Sequence, residues 1–487
     1  MADTNYTEFT LAKQPGFGLA PTADATKVRF TGESMKANKG FERSEEIRAD
    51  RMVDDTALVS ESATGGYGFE FHYGEPFLTV MENALFNPFD AVAEIVNSAA
   101  DTEIEGVVTS SDTFTVASGG GAFVAGHLVQ STGFTDAANN IVFEVDSSTG
   151  TTVVTDGVAT LVDEASPPKG AKLKTVGFVG ESGDITASAT GLASTALDFT
   201  TLGLKVGQWL KIGGSAVGSK FTTAALNTWV RIASISANAI VLDHRPTGWT
   251  TDAGGSKAIK VWFGDTLRVG TLMQYLTQEK VVTNQSTPQF HKYNDCVVNS
   301  LDFTVEAGTR VTGSVDFLGS SENVSAASFD ATPNTADEGD IMNGVSDVAR
   351  IMFNDSEITS GGYARRLSVS LRNNLREQMA IGSLGLVGIG AGDCDITVSM
   401  TTYYEDATYY DKFDGQSTFS TSFVMDKESD GVKSAFVHTL PKLKAESAEN
   451  TSSARNQDAM LEISARALKD SLTATSYQID AFNYFEE

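Results

Sequence analysis

The sequence predicts an all-β chain with short flanking helices: two β-barrel or sandwich domains in tandem, the first interrupted by two small inserted β modules. Three observations predict this. Forty-five glycines and ten prolines punctuate a chain rich in Ser, Thr and Val, the composition of short strands joined by tight turns. Apolar residues recur at alternate positions in short runs, where a helix would need spacings of three and four. Two stretches also repeat patterns found elsewhere in the same chain.

From the start of the chain, residues 28–35 read as an alternating strand leading to Asn38. Residues 39–64 follow as a long polar excursion in which both charge signs alternate. It carries Phe41, Glu45, Glu46, Arg48, Arg51, Asp54 and Asp55, with Ile47, Met52, Val53 and Leu58 interspersed. A solvated surface loop is one reading of it. A long connection without much structure of its own is, however, uncommon in a compact domain unless it is functional. Mixed charge around a few apolar anchors is also how a polar, register-setting contact with a neighbouring subunit looks. A second strand over 67–73 leads to a helix, signalled by Pro76 in its first turn and by Phe77, Met81, Ala84 and Leu85 on one face.

The first duplication lies in the middle of the chain. Runs 125–129, 140–145, 151–156 and 171–176 recur in the same order as 206–210, 227–232, 238–243 and 257–262, with Gly or Asn at the turns. This is the pattern of small β-barrels or sandwiches, read as module 101–182 and its repeat 183–261. The second duplication relates the flanks. Residues 28–35 correspond to 367–371, and 67–73 to 395–400. The predicted helix corresponds to a helix-like stretch through Tyr409 and Phe413. Likewise 272–279 resembles 419–426, and 313–317 resembles 461–465. The first barrel is therefore expected over 1–100 and 262–320, a linker over 321–345, and the second barrel over 346–487.

Motifs of chemistry are weak. The five histidines, His72, His127, His244, His291 and His438, are scattered and none stands at metal-ligand spacing from another. Cys296 and Cys394 are too few for a disulfide framework or a closed zinc site, and each is flanked by a strand-like run, so both are expected as buried thiols. The glycine-rich run 385–393 lacks the Lys-Ser/Thr of a phosphate loop. It also leads into a strand where a dinucleotide fold needs a helix, so it reads as a hairpin. The paired carboxylates Glu45 and Glu46 lie in the polar excursion, away from any dry pocket that would shift a pKa. No catalytic residue, metal or cofactor is expected, and no enzymatic activity.

Residues 1–20 lack the basic start and apolar run of a signal peptide, and no run reaches the ~20 apolar residues of a membrane span. A soluble chain without membrane anchoring is expected. Thirty-five Lys and Arg stand against 63 Asp and Glu, a formal net charge of −28, which argues against a protein that grips phosphates. Solubility by self-repulsion explains such a balance. A surface that must pass DNA without holding it explains it equally well.

The segment Gly32-Glu33-Ser34-Met35-Lys36-Ala37-Asn38, followed by residues 44–51, resembles the N-terminal signature of siphophage major tail tube proteins. Residues 299–305, Gly308 and 311–317 resemble the closing strands of the same family. The resemblance implies tail-tube-type barrels with a flanking helix, joined edge to edge into a ring around a lumen. It implies that rings stack through the loop carrying Phe41, Glu45, Glu46, Arg48, Arg51, Asp54 and Asp55. The partners it implies are further copies of the chain, the tape measure protein, and the tail terminator and tail tip proteins. Double-stranded DNA would pass transiently and without sequence preference. The location it implies is the virion tail, assembled in the host cytoplasm. Rings of the family commonly hold six barrels, so a chain supplying two would close as a homotrimer with pseudo-sixfold symmetry, its inserted modules outside. Two other classes fit tandem β modules: a capsid-decorating or fibre (adhesin) protein, and a carbohydrate hydrolase, which would need two carboxylates in a cleft.

Overall fold

The structure, a computed structural model, describes residues 3–22, 24–50, 52–157, 160–354, 356–358, 363–451 and 455–487. Among the described residues the regular structure is mainly antiparallel strand, with two α-helices, Glu75–Leu85 and the single-turn Tyr410–Asp414, and short 3-10 turns. Glu75–Leu85 starts with Pro at its first turn and ends at Phe86 in the left-handed region. It buries Phe77, Val80, Met81, Ala84 and Leu85 in the main core, so its apolar stripe is what keeps it in place.

Two long strands organise everything outside the middle of the chain. The first half of Phe290–Glu306 pairs with Tyr275–Val282 and Ser321–Ser325; its second half pairs with Thr312–Gly319 and Ala364–Arg372. The first half of Val432–Thr451 likewise pairs with Thr418–Ser429 and Gln478–Phe485, and its second half with Met460–Ala467. Each long strand therefore passes from one sheet of a sandwich into the other, turning at a bulge. Each sandwich encloses aromatic and aliphatic side chains, and the two interiors merge into one core running from Phe9 and Tyr67 to Leu461 and Ala481.

The middle of the chain forms a separate 13-stranded sheet. Its first six long-range strands run in space as Lys172–Val179, His127–Thr132, Val142–Ser148, Thr152–Thr155, Thr113–Val116, Ile104–Val108. The next six run as Lys260–Phe263, Trp209–Ile212, Trp229–Ser236, Ala239–His244, Gly191–Ala193, Thr186–Ala187, the same order a second time. The two copies abut through Lys172–Val179 and Lys260–Phe263, and each has its own core, around Phe114 and Phe143 in one and Phe199 and Leu210 in the other.

Several local expectations are corrected. Within 28–35 only Gly32–Glu33 is strand, and the run resumes as Lys36–Arg43. The polar excursion is itself a hairpin: Lys36–Arg43 pairs with the first part of Thr56–Glu70, from Lys36 opposite Thr64 to Arg43 opposite Thr56. Its strands escape an alternation test because both faces are wet, so no apolar side is selected. The long strand turns inward at Gly65 (φ 119°) and Gly66, where a Cβ would collide with the Val315 carbonyl. The strand expected over 272–279 lies at Tyr275–Val282. Ser321–Ser325, read as linker, pairs with the first half of Phe290–Glu306.

Where the middle of the chain rejoins the first barrel, Asp265–Arg268 pairs with Gln478–Phe485, the last strand. Asp480 is fully buried there, accepting from the Thr266 hydroxyl and from Gln478 Nε2, each at 2.7 Å. Burial pushes its carboxyl up to about 7, against the opposing pull of those hydrogen bonds and of Arg268. An unfolded Asp ionises near pH ~4. Between the two values the folded chain holds a proton that the unfolded chain lacks, so this group's stabilisation is present at the acid end and is lost as pH rises through about 7. Denaturant unfolding of wild type and Asp480→Asn across that window is expected to show a shallower pH slope for the variant. Parallel curves would refute the burial effect.

Candidate functional site

The second halves of the two long strands build one continuous sheet across both barrels. In spatial order it runs Gly32–Glu33 with Lys36–Arg43, Thr56–Glu70, Thr312–Gly319, Phe290–Glu306, Ala364–Arg372, Asp395–Tyr403, Met460–Ala467, Val432–Thr451. The join between barrels is seven residue pairs long, from Ser300 opposite Arg372 to Glu306 opposite Arg366. It is an ordinary antiparallel ladder, so nothing in the backbone distinguishes it from pairing within a barrel.

One face of this sheet is core. Tyr67, Val315, Leu301, Leu371 and Ile396 form one buried row across it, and Phe303, Val369, Val398 and Ala465 another. Alternation sends the intervening side chains to the opposite face, which is polar over its central rows. There Asp302, Ser370 and Thr397 share a row, as do Thr304, Ser368, Ser399 and Ser464; Glu306, Arg366, Thr401, Glu462 and Glu449 form a third. Cross-strand contacts tie the rows together. Arg372 Nη1 donates to Asp302 at 2.9 Å, and the Ser370 hydroxyl donates to the same carboxylate. Thr304 and Ser368 hydroxyls lie 3.0 Å apart, and Ser300 donates to Asp316 at 3.1 Å. Arg466 bridges Asp395 and Glu446, the latter at 2.6 Å. These arginines are largely occupied by the protein's own carboxylates, and hydroxyls fill the space between.

At each end the sheet stops without a neighbour. Among the described residues, Gly32–Glu33 and Lys36–Arg43 pair only with Thr56–Glu70. Beyond Lys444, Val432–Thr451 pairs only with Met460–Ala467. Both ends are unpaired strand borders, which proteins cover, cap or use.

The hairpin projects beyond this sheet. Of the residues singled out in the sequence, Phe41 lies on its first strand, 63% exposed, and Glu45, Glu46, Arg48, Asp54 and Asp55 lie in the exposed tip between the strands. Arg51 falls outside the described residues. Arg48 holds Asp50 at 3.1 Å and Asp54 at 2.8 Å, and its hydrogen bond keeps the Asp50 carboxyl below the usual range. Asp55 closes the tip: its carbonyl accepts from Ser44 N at 2.9 Å and its carboxylate from Thr56 N at 2.8 Å. The structure thus brings Arg48 and Asp54 together and leaves Phe41, Glu45 and Glu46 pointing at solvent, beside the exposed Ile47, Met52 and Val53. The second barrel carries a shorter connection at the corresponding place, 373–394, with a small hairpin of Arg376–Gln378 and Gly388–Gly390. It leans on the first hairpin, Glu61 N donating to Leu384 O at 2.9 Å, and exposes Met379, Ile381 and Leu384.

The 13-stranded middle domain sits against the other sheet of the second barrel. Trp209, Trp229 and Trp262 pack with Val424, Val437, Phe482 and Phe485; Trp229 meets Phe482 edge-on at 4.9 Å. Trp209 Nε1 donates to Thr439 at 2.8 Å and Arg350 Nη1 to Trp229 O at 3.1 Å. Glu486 and Glu487 clamp the rim through Lys260 (2.8 Å) and Lys211 (3.3 Å). A chain segment inserted in the first barrel is thereby fastened to the second, on the side away from the polar sheet face.

Burial governs the ionisation of one histidine and both thiols. His438 is buried among Phe303, Phe423 and Tyr477, and burial holds it neutral by pulling its pKa down to about 3. Burial raises both thiols, Cys394 up to about 12. No cluster of three metal-ligating side chains occurs among the described residues, and no helix there is long and apolar enough to cross a membrane.

The chain is thus all-β, with one sheet shared by two barrels, a mainly polar outer face and, among the described residues, unpaired strand borders. A family model described as phage tail tube protein matches residues 180–467. That is more than half of the chain, which therefore belongs to the phage tail tube protein family. No curated protein matches it. The acidic and hydroxyl-rich sheet face escaped the sequence reading, although its signal was there: the residues between the apolar ones in 300–306, 366–372 and 395–401 are almost all Ser, Thr, Asp, Glu or Arg.

Proposed function

We propose that three copies of the chain close a ring with pseudo-sixfold symmetry, and that rings stack into the hollow tube of a non-contractile phage tail. One observation carries this reading: a continuous sheet shared by two like barrels, polar on one face and unpaired at both ends. Closed symmetry satisfies such borders and stops lateral growth. In this arrangement the polar face lines the lumen. Carboxylates such as Asp302, Asp316, Glu306, Glu449 and Glu462 and their hydroxyl neighbours present no row of free cations, so phosphates pass without the counterion release that drives DNA binding. Double-stranded DNA is conducted to the host through this channel after the tape measure protein has occupied it during assembly. The tube ends meet tail terminator and tail tip proteins, and the whole forms in the host cytoplasm. Residues 1–100 with 262–320 and residues 346–487 are the tube-forming barrels. Modules 101–182 and 183–261 decorate the outside, as their attachment opposite the polar face supports. The hairpin tip, with Phe41, Glu45, Glu46, Arg48, Asp54 and Asp55, reaches the neighbouring ring, and the chain acts as a structural part without catalysis.

Electron microscopy of the purified chain, with a count of chains per ring, tests this. Hollow rings or tubes with three chains per ring are expected. Dispersed monomers under all assembly conditions would sink the proposal.

A further inference from the structure

We infer the register of the seam between neighbouring copies: it matches the ladder that joins the two barrels within one chain, so that Glu449 of one copy stands opposite Lys36 of the next. The inference rests on the tube reading above and adds the residues of the seam. The two barrels correspond pair by pair. In the first, Leu276 faces Cys296 and, after a bulge, Gln278 faces Tyr293; in the second, Phe419 faces Leu443 and, after the same bulge, Thr421 faces Leu440. A second bulge follows in both, between Val298 and Ser300 and between Ala445 and Ser447. Leu301, opposite Val315, therefore corresponds to Ala448, opposite Ile463, and Asp302 corresponds to Glu449.

The other border corresponds in the same way. Val315 faces Tyr67 and Ile463 faces Met400; Tyr67 in turn faces Glu33, and Met400 faces Leu367. Lys36, opposite Thr64, then corresponds to Ser370, opposite Thr397. Within the chain Asp302 faces Ser370 and Leu301 faces Leu371. Carried to the seam, Glu449 of one copy faces Lys36 of the next, Ala448 faces Ala37, and Glu446 falls opposite Lys39. Both charged pairs are of opposite sign, which is favourable for directly opposed residues. Lys36 and Glu449 are exposed on the polar side of the sheet, and neither has an ion-pair partner among the described residues. A slip by one residue would turn every side chain of the border to the wrong face.

The two ladders differ in what lies beneath them. Under the internal one, Phe71 and Phe303 of the first barrel meet Phe423, Phe436 and His438 of the second, with Phe71 5.3 Å from Phe436 and Phe303 5.1 Å from His438. The corresponding positions at the seam are Tyr404 and Asn450 on one copy and Lys280, Gln289 and His291 on the other. The internal join is dry and permanent. The seam is polar, as a surface that faces water before assembly must be.

Cysteine pairing tests the register in the full chain. The natural thiols are a quiet background, Cys296 being buried and Cys394 raised to about 12. Lys36→Cys with Glu449→Cys, oxidised under assembly conditions, is expected to give covalent dimers and closed trimers. The yield should be about tenfold above either single variant and above the shifted pair Lys36→Cys with Asn450→Cys. Tubes that assemble without this cross-link, or that cross-link better in the shifted pair, would overturn the register and leave the tube reading intact. Failure of the unsubstituted chain to form rings or tubes would overturn both. Independently, Glu449→Lys and Lys36→Glu should each block assembly and the double exchange restore it; no restoration counts against the pairing.

Discussion

Replacing Phe71 by alanine is expected to cost about 3–5 kcal/mol of stability, the range for removing a fully buried Phe, and to uncouple the two barrels. Phe71 is 0% exposed and its ring lies 4.7 Å from Phe77, 5.3 Å from Phe436, 5.7 Å from Phe303 and 6.0 Å from His438. It therefore joins the helix of the first barrel to the second barrel's long strand through aromatic contacts, and the internal ladder lies directly over it. The void would be lined by rings held on three separate elements, so collapse cannot fill it cheaply. Far-UV circular dichroism during denaturant unfolding should show a lower midpoint and a broadened or divided transition. Tryptophan fluorescence provides a second probe, because Trp209, Trp229, Trp249 and Trp262 all lie in the middle domain. A variant within about 1 kcal/mol of wild type, unfolding in one step by both probes, would show that the barrels are coupled elsewhere.

The second large effect concerns assembly. Replacing tip residues 44–55 by a two-residue Asn-Gly turn is expected to leave folded subunits that form rings and no long tubes. Among its described residues the tip's ion pairs and hydrogen bonds are internal: Arg48 with Asp50 and Asp54, Ser44 with Asp55. Solvent screens surface ion pairs of this kind, so its loss should change the unfolding midpoint little. Its exposed Ile47, Met52 and Val53, together with Phe41, are apolar surface that a free monomer gains nothing by displaying. Tube length by electron microscopy, beside the unfolding midpoint, separates the outcomes. Normal-length tubes from the shortened chain would remove the stacking role of the tip.

What could be read in advance followed from local pattern. Alternation along 367–371, 395–400 and 461–465 announced strands because one side of each is buried, and the strands lie there. Pro76 and the stripe of Phe77, Met81, Ala84 and Leu85 announced the helix for the same reason. The hairpin of residues 36–64 escaped because both its faces are wet, so strand and loop carry the same residues there. Of the proposed contact residues, the charge pattern alone drew attention to Arg48 and Asp54, while their pairing with each other depends on a turn that no single residue encodes.

By itself, then, the sequence determined the all-β class, the repeated strand order and the flanking helix, since each depends on neighbours a few residues apart and on which side of a strand is apolar. Only the tertiary structure decided that Phe290–Glu306 pairs with Ala364–Arg372, that the middle domain's tryptophans seat on the second barrel, and which carboxylates share one face. Those facts depend on which strand borders meet. Backbone hydrogen bonds between borders are the same for every residue type, so the choice is made by the shape and filling of the assembled core.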